Sequence, residues 1–88
     1  MATFVVSYDA HKVRDYTRFY KAAKEKSGVP LLDSMWAFEF SNAVAEVRDW
    51  AKALFDDDDS IVVIQLTPKL SWATRKADVA AEWFKANI

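Results

Sequence analysis

Residues 29–40 read Val29-Pro30-Leu31-Leu32-Asp33-Ser34-Met35-Trp36-Ala37-Phe38-Glu39-Phe40, and the way this stretch divides decides the fold. Trp36, Phe38 and Phe40 alternate with Ala37 and Glu39, the period-two pattern of a half-buried strand. Leu31 to Phe40 is long for a single strand. The polar pair Asp33-Ser34 sits where a bend or bulge splits it, into Val29–Ser34 and Met35–Phe40, and would be buried at that bend. No glycine marks the turn, so the split rests on length and on the polar interruption alone.

Working back towards the N-terminus, Ser27-Gly28-Val29-Pro30 reads as a helix stop. Gly28 is suited to the left-handed C′ position, and Pro30 cannot continue a helix. The helix it ends runs from an Asp15 N-cap to about Lys26, with Tyr16, Phe19, Tyr20 and Ala23 forming an apolar stripe. Before it lie a polar connection, Asp9 to Arg14, and a first strand, Thr3-Phe4-Val5-Val6-Ser7-Tyr8, apolar towards both sides as in a central strand.

Working forward, Ser41 or Asn42 caps a second helix to about Phe55, with Val44, Val47, Trp50, Ala51 and Leu54 inward. Asp56 to Asp59 follow at its C-terminus, where the macrodipole disfavours negative charge, so they read as an exit loop. Ser60-Ile61-Val62-Val63-Ile64-Gln65-Leu66 is the strongest strand, stopped by Thr67-Pro68. The tail carries Leu70 and Trp72, then a third helix from about Thr74 to Asn87. Ala77, Ala80, Ala81, Phe84 and Ile88 line one side of that helix, with Trp83 adjacent. The expected order is β-α-β-β-α-β: an α+β, ferredoxin-like sandwich as a single domain, with a core over 3–66 and a helical extension over 70–88.

Two helices cover one face of a four-stranded antiparallel sheet and leave the other bare. Yet Val5 and Val6, and Ile61 to Ile64, are apolar towards both sides. A partner's sheet, the C-terminal helix, or both must cover the second face, because so large an apolar patch is unusual on a soluble monomer. This predicts a homodimer with an interface on the faces of the first and last strands.

With 88 residues the chain is too short for two cores. Apolar residues make up 52%, enough to offset much of the ordering entropy and to exclude disorder. There is no cysteine, hence no disulfide or thiolate metal site. The start, Met1-Ala2-Thr3-Phe4, lacks the basic and apolar regions of an export signal, and no stretch spans a membrane, so a cytoplasmic setting is expected. The net charge of −1 is not that of a domain built only to grip nucleic acid. Lys12, Arg14, Arg18, Lys21, Lys24 and Lys26 nevertheless gather in the first third.

Three segments carry a resemblance to a known family: the strand ending in Tyr8-Asp9, the piece Leu32-Asp33-Ser34-Met35-Trp36-Ala37-Phe38-Glu39, and Asp57-Asp58-Asp59-Ser60-Ile61-Val62-Val63-Ile64-Gln65-Leu66. Together they resemble the small CRISPR-associated spacer-acquisition proteins, metal-dependent endonuclease-like partners of the integrase. The toxin ribonuclease virulence-associated protein D shares that family's fold. The resemblance covers roughly residues 3–66. It implies a ferredoxin-like homodimer holding a divalent metal between two copies of the first-strand aspartate, here Asp9. The chain departs from the family beyond Leu66, where a helix replaces the expected strand. It also has a thin basic set after Asp9 (His11, Lys12 and Arg14) and an acidic balance.

On this reading Asp9 is the metal ligand and a catalytic residue. Mg²⁺ binds through one or two carboxylates plus waters and phosphates, and two-fold symmetry supplies a second Asp9. The alternative is an Asp that ends its strand by bonding loop amides. His11, the only histidine, has the pKa range of a general base in RNA cleavage. Lys12, Arg14 and Arg18 are the nucleic-acid-binding candidates, with Arg14 and Arg18 four apart and able to hold phosphates bidentately. Asp56 to Asp59 lack the spacing, Gly and Glu of an EF-hand loop and read as solvated. Ser34 has neither a glycine elbow nor a base. Trp36, Phe38 and Phe40 fit core packing better than base stacking. A second function is a non-catalytic interaction module on the same fold, its C-terminal helix docking a protein partner.

Overall fold

The computed structural model describes residues 2–9, 17–55 and 59–88. Its elements are β1 (Ala2–Asp9), α1 (Thr17–Glu25), β2 (Val29–Leu32), β3 (Met35–Phe40), α2 (Val44–Lys52), β4 (Ser60–Leu66) and α3 (Asp78–Asn87). The strands form one sheet in the order β2-β3-β1-β4, every neighbouring pair antiparallel. The long stretch is indeed two strands: Leu32 pairs with Met35, so Asp33-Ser34 is the hairpin turn. A register shift between Pro30 and Leu32 bends β2 beside that turn.

The end of α1 corrects one expectation. Ser27, not Gly28, takes the left-handed conformation, with φ 57°. The Gly28 N–H donates to the Ala23 carbonyl (2.8 Å) and the Ser27 N–H to that of Lys24 (3.0 Å), the two bonds of a Schellman cap. Gly28 is required for a different reason: a Cβ there would overlap the Phe38 ring.

Alternation along β1 divides the core in two. Phe4, Val6 and Tyr8 join Trp36 and Phe38 under α1 and α2, which contribute Phe19, Ala23, Val47 and Ala51. Phe19 is the hub, its ring centroid 4.9 Å from Phe55, 5.1 Å from Tyr8 and 6.0 Å from Trp36. Edge-on and tilted pairs of this kind each add about 0.5–1.5 kcal/mol beyond burial. Trp36 and Phe38 are buried by this packing, as their alternation predicts.

On the reverse face Val5, Leu31 and Ala37 pack against Ala80 of α3, flanked by Met35, Leu66, Trp83 and Phe84. Trp72 stacks on Phe84 with centroids 5.1 Å apart. The tail is therefore a structural layer rather than an appendage to a finished core. Its cover is incomplete, because Val62 and Ile64 remain 56% and 50% exposed.

Helix boundaries differ from the sequence reading in three places, the first being that α2 ends at Lys52 rather than near Phe55. The N-cap of α2 is Ala43, which has no side-chain acceptor to offer the helix and whose own N–H donates to Glu46 Oε1 (2.9 Å), so neither Ser41 nor Asn42 caps it, and Val44 is exposed. Helix α3 starts at Asp78 rather than Thr74, because Lys76 sits in the left-handed region with φ 53°. Asp15, Tyr16 and Asp56 to Asp58 lie outside the described residues. Among those described, no helix is long and apolar enough to cross a membrane.

Candidate functional site

The Tyr8-Asp9 step, the Asp33-Ser34 turn and the start of β4 meet at one end of the sheet. Asp9 closes β1 and pairs in register with Ser60, the first residue of β4. The turn is tied to the same place: the Tyr8 N–H donates to the Ser34 carbonyl (3.0 Å), and the Tyr8 hydroxyl donates to the Asp33 carbonyl (2.8 Å). Tyr8 thus anchors the turn with its backbone and with its side chain. In the sequence Tyr8 reads only as a strand residue, and the aromatic-polar step Tyr8-Asp9 is the one available signal of more.

Strand alternation fixes the direction of Asp9. It falls on the same side of the sheet as Val5 and Ser7, and across the β1–β4 register as Ser60, Val62 and Ile64. That is the side away from α1 and α2. Helix α3 covers the part of this face around Leu31 and Ala37 and leaves Val62, Ile64 and the exposed Asp9 open. An acid at the rim of an uncovered apolar strip is the chemistry this end of the sheet offers.

Asp33 and Ser34 are exposed at the hairpin tip, not buried at a bend, because a two-residue turn has no layer above it. Asp59 is non-helical and half-buried immediately before β4. Arg18 is exposed in the first turn of α1, which packs on the face of the sheet opposite to Asp9, so within one chain the two do not share a face. His11, Lys12 and Arg14 lie outside the described residues.

A single chain brings no group of three His, Asp or Glu side chains together among the described residues. One exposed strand-end carboxylate does fit a hard cation such as Mg²⁺, which takes one or two protein carboxylates and fills its remaining positions with water and phosphate oxygens. Comparisons of the chain with protein-family models, with curated proteins and with solved structures each give no match. The functional reading therefore rests on the residues and their placement.

Proposed function

We propose that this protein is a nucleic-acid-acting homodimer of the CRISPR-associated endonuclease-like kind, built on a ferredoxin-like fold and dependent on a divalent metal held by Asp9. The fold assignment is supported by the element order β-α-β-β-α-β and by the strand order, which read from its other edge is β4-β1-β3-β2. The observation that carries the functional reading is that Asp9 shares one open face with Val62 and Ile64. A two-fold contact on that apolar strip is isologous, so whatever one copy presents at its rim the other presents as well. With the two-fold axis running along the strands, two copies of Asp9 flank a common cleft.

The two Asp9 carboxylates would hold the Mg²⁺, which would supply polarisation of a phosphodiester and a lowered pKa for a coordinated water. The chain's own residues do the remaining work. Asp9 is held at the end of a central strand and needs no rearrangement to present its carboxylate. Tyr8 fixes the neighbouring turn, and Arg18, on the helix-covered face, offers a guanidinium for a phosphate further along a bound strand. His11 is the candidate base, and Lys12 and Arg14 add positive charge on the connection that follows. A cytoplasmic setting goes with this reading.

A second reading, a non-catalytic interaction module, is favoured by the same exposed Val62 and Ile64, which need a partner but no chemistry. One assay separates the two: Mg²⁺- or Mn²⁺-dependent cleavage of RNA and of duplex DNA, comparing wild type with Asp9→Ala. The nuclease reading expects activity that requires the metal and is lost in the variant. Metal-dependent cleavage that survives Asp9→Ala removes Asp9 as the ligand. No cleavage of either substrate by wild type leaves the interaction module.

A further inference from the structure

The outer edge of β2 lies in a cleft of about 870 Å³ whose walls come from α1 on one side and the start of α3 on the other. Tyr20 and Lys24, one helical turn apart, form the first wall, and Lys76 stands on the second. The Tyr20 ring stacks on Trp36 with centroids 5.8 Å apart and an interplanar angle of 27°. Trp36 is buried, whereas Tyr20 is 36% exposed and lines the cleft. Lys76 is set by its left-handed backbone at the entrance to α3. Asp33 and Asp78 line the same cleft, yet among the described residues neither lysine forms an ion pair with them.

An exposed aromatic ring and two lysines on separate elements line one cleft, a set that matches a ligand with a flat ring and a phosphate. From this geometry we infer that the cleft is a nucleotide subsite: a base stacks against Tyr20, and its phosphate lies between Lys24 and Lys76. This rests on the nucleic-acid part of the proposed function but not on Asp9 or on a metal, because the cleft borders β2, the edge strand opposite β4. Single-stranded recognition by stacking plus a basic track is tolerant of sequence. The same chemistry also suits a free mononucleotide. Asp33 and Asp78 confine the phosphate to the space between the lysines by repelling it elsewhere.

The test is fluorescence anisotropy with a labelled oligo-U of about ten nucleotides, without metal, with UMP and ATP as competitors. Tyr20→Leu is expected to weaken binding roughly tenfold, within the range for removing one base–aromatic stack. Tyr20→Phe, which keeps the ring, is expected to bind like wild type and serves as the control for folding. Lys24→Gln together with Lys76→Gln should flatten the slope of log affinity against log salt, by about 0.7 for each phosphate no longer neutralised. Competition by micromolar UMP or ATP assigns the subsite to free nucleotides, and its absence assigns it to the strand. Oligonucleotide binding that is unchanged in Tyr20→Leu and in the double-lysine variant overturns the cleft and spares the nucleic-acid reading. Wild type that binds no oligonucleotide and no nucleotide overturns both.

Discussion

The two faces of the sheet come from the same strands and behave differently. Under α1 and α2 the face is closed by rings, with Phe4, Tyr8, Phe19, Trp36, Phe38 and Phe55 in one cluster. The opposite face is covered by a single helix that reaches the sheet through alanine, Trp83 and Phe84, and it stops short of Val62 and Ile64. Along β1 the division runs residue by residue: Phe4, Val6 and Tyr8 turn inward to the aromatic layer, while Val5, Ser7 and Asp9 turn to the thinner one. One face is closed, and the other leaves apolar surface open.

The sharpest way to break this contrast is at its centre. Phe19→Ala should cost roughly 3–5 kcal/mol, as for a fully buried aromatic whose cavity cannot close, and urea unfolding will measure it. A loss below about 1 kcal/mol would mean the aromatic layer is not the main support. Gly28→Ala comes next, at about 1–3 kcal/mol in the same measurement, because a methyl must displace the Phe38 ring in a filled core. On the thin face Phe84→Ala should cost about half of what Phe19→Ala does, since Phe84 is only half-buried. Ser27→Gly should stabilise by about 0.5 kcal/mol, relieving a left-handed serine against some added chain entropy in the unfolded state.

Ile64→Lys is expected to have the smallest effect on folding and the clearest effect on assembly. As a half-exposed position it should shift the intrinsic stability of the chain by no more than about 0.5 kcal/mol. If the proposed dimer forms on this strip, sedimentation should nevertheless move from dimer to monomer, because a charge on each copy would meet its twin across the contact. An unchanged sedimentation coefficient with wild type dimeric would place the contact elsewhere.

The split at Asp33-Ser34 is legible in the sequence because two polar residues inside an alternating apolar run leave the chain few other choices. The role of Gly28 is not. Local reasoning sees a glycine after a helix and assigns it the left-handed position, but the close approach of Phe38 is a tertiary fact that no neighbouring residue reveals. Likewise, Ala77, Ala80 and Ala81 announce an inward helix face without saying whether that face closes on its own sheet or on another. Here it closes on its own. Asp9 is legible as a strand-end acid. Its sharing a face with Val62 and Ile64 follows only from the β1–β4 register. The cleft between Tyr20 and Lys76 joins residues far apart in the chain and leaves no local sign.

The placement of β1 at the middle of the sheet has a consequence for how the molecule comes into being. Its two neighbours are β3 and β4, so Thr3 finds Glu39 on one side and Leu66 on the other. Of the four strands β1 is made first; its β3 border waits for α1 and the hairpin, and its β4 border waits until α2 has been made as well. Such distant pairing slows folding relative to a helical bundle of the same size. Until β4 emerges, the border of β1 that will meet Ile64 and Val63 is an unpaired strand edge, the period when a chaperone or a stray strand has the best access.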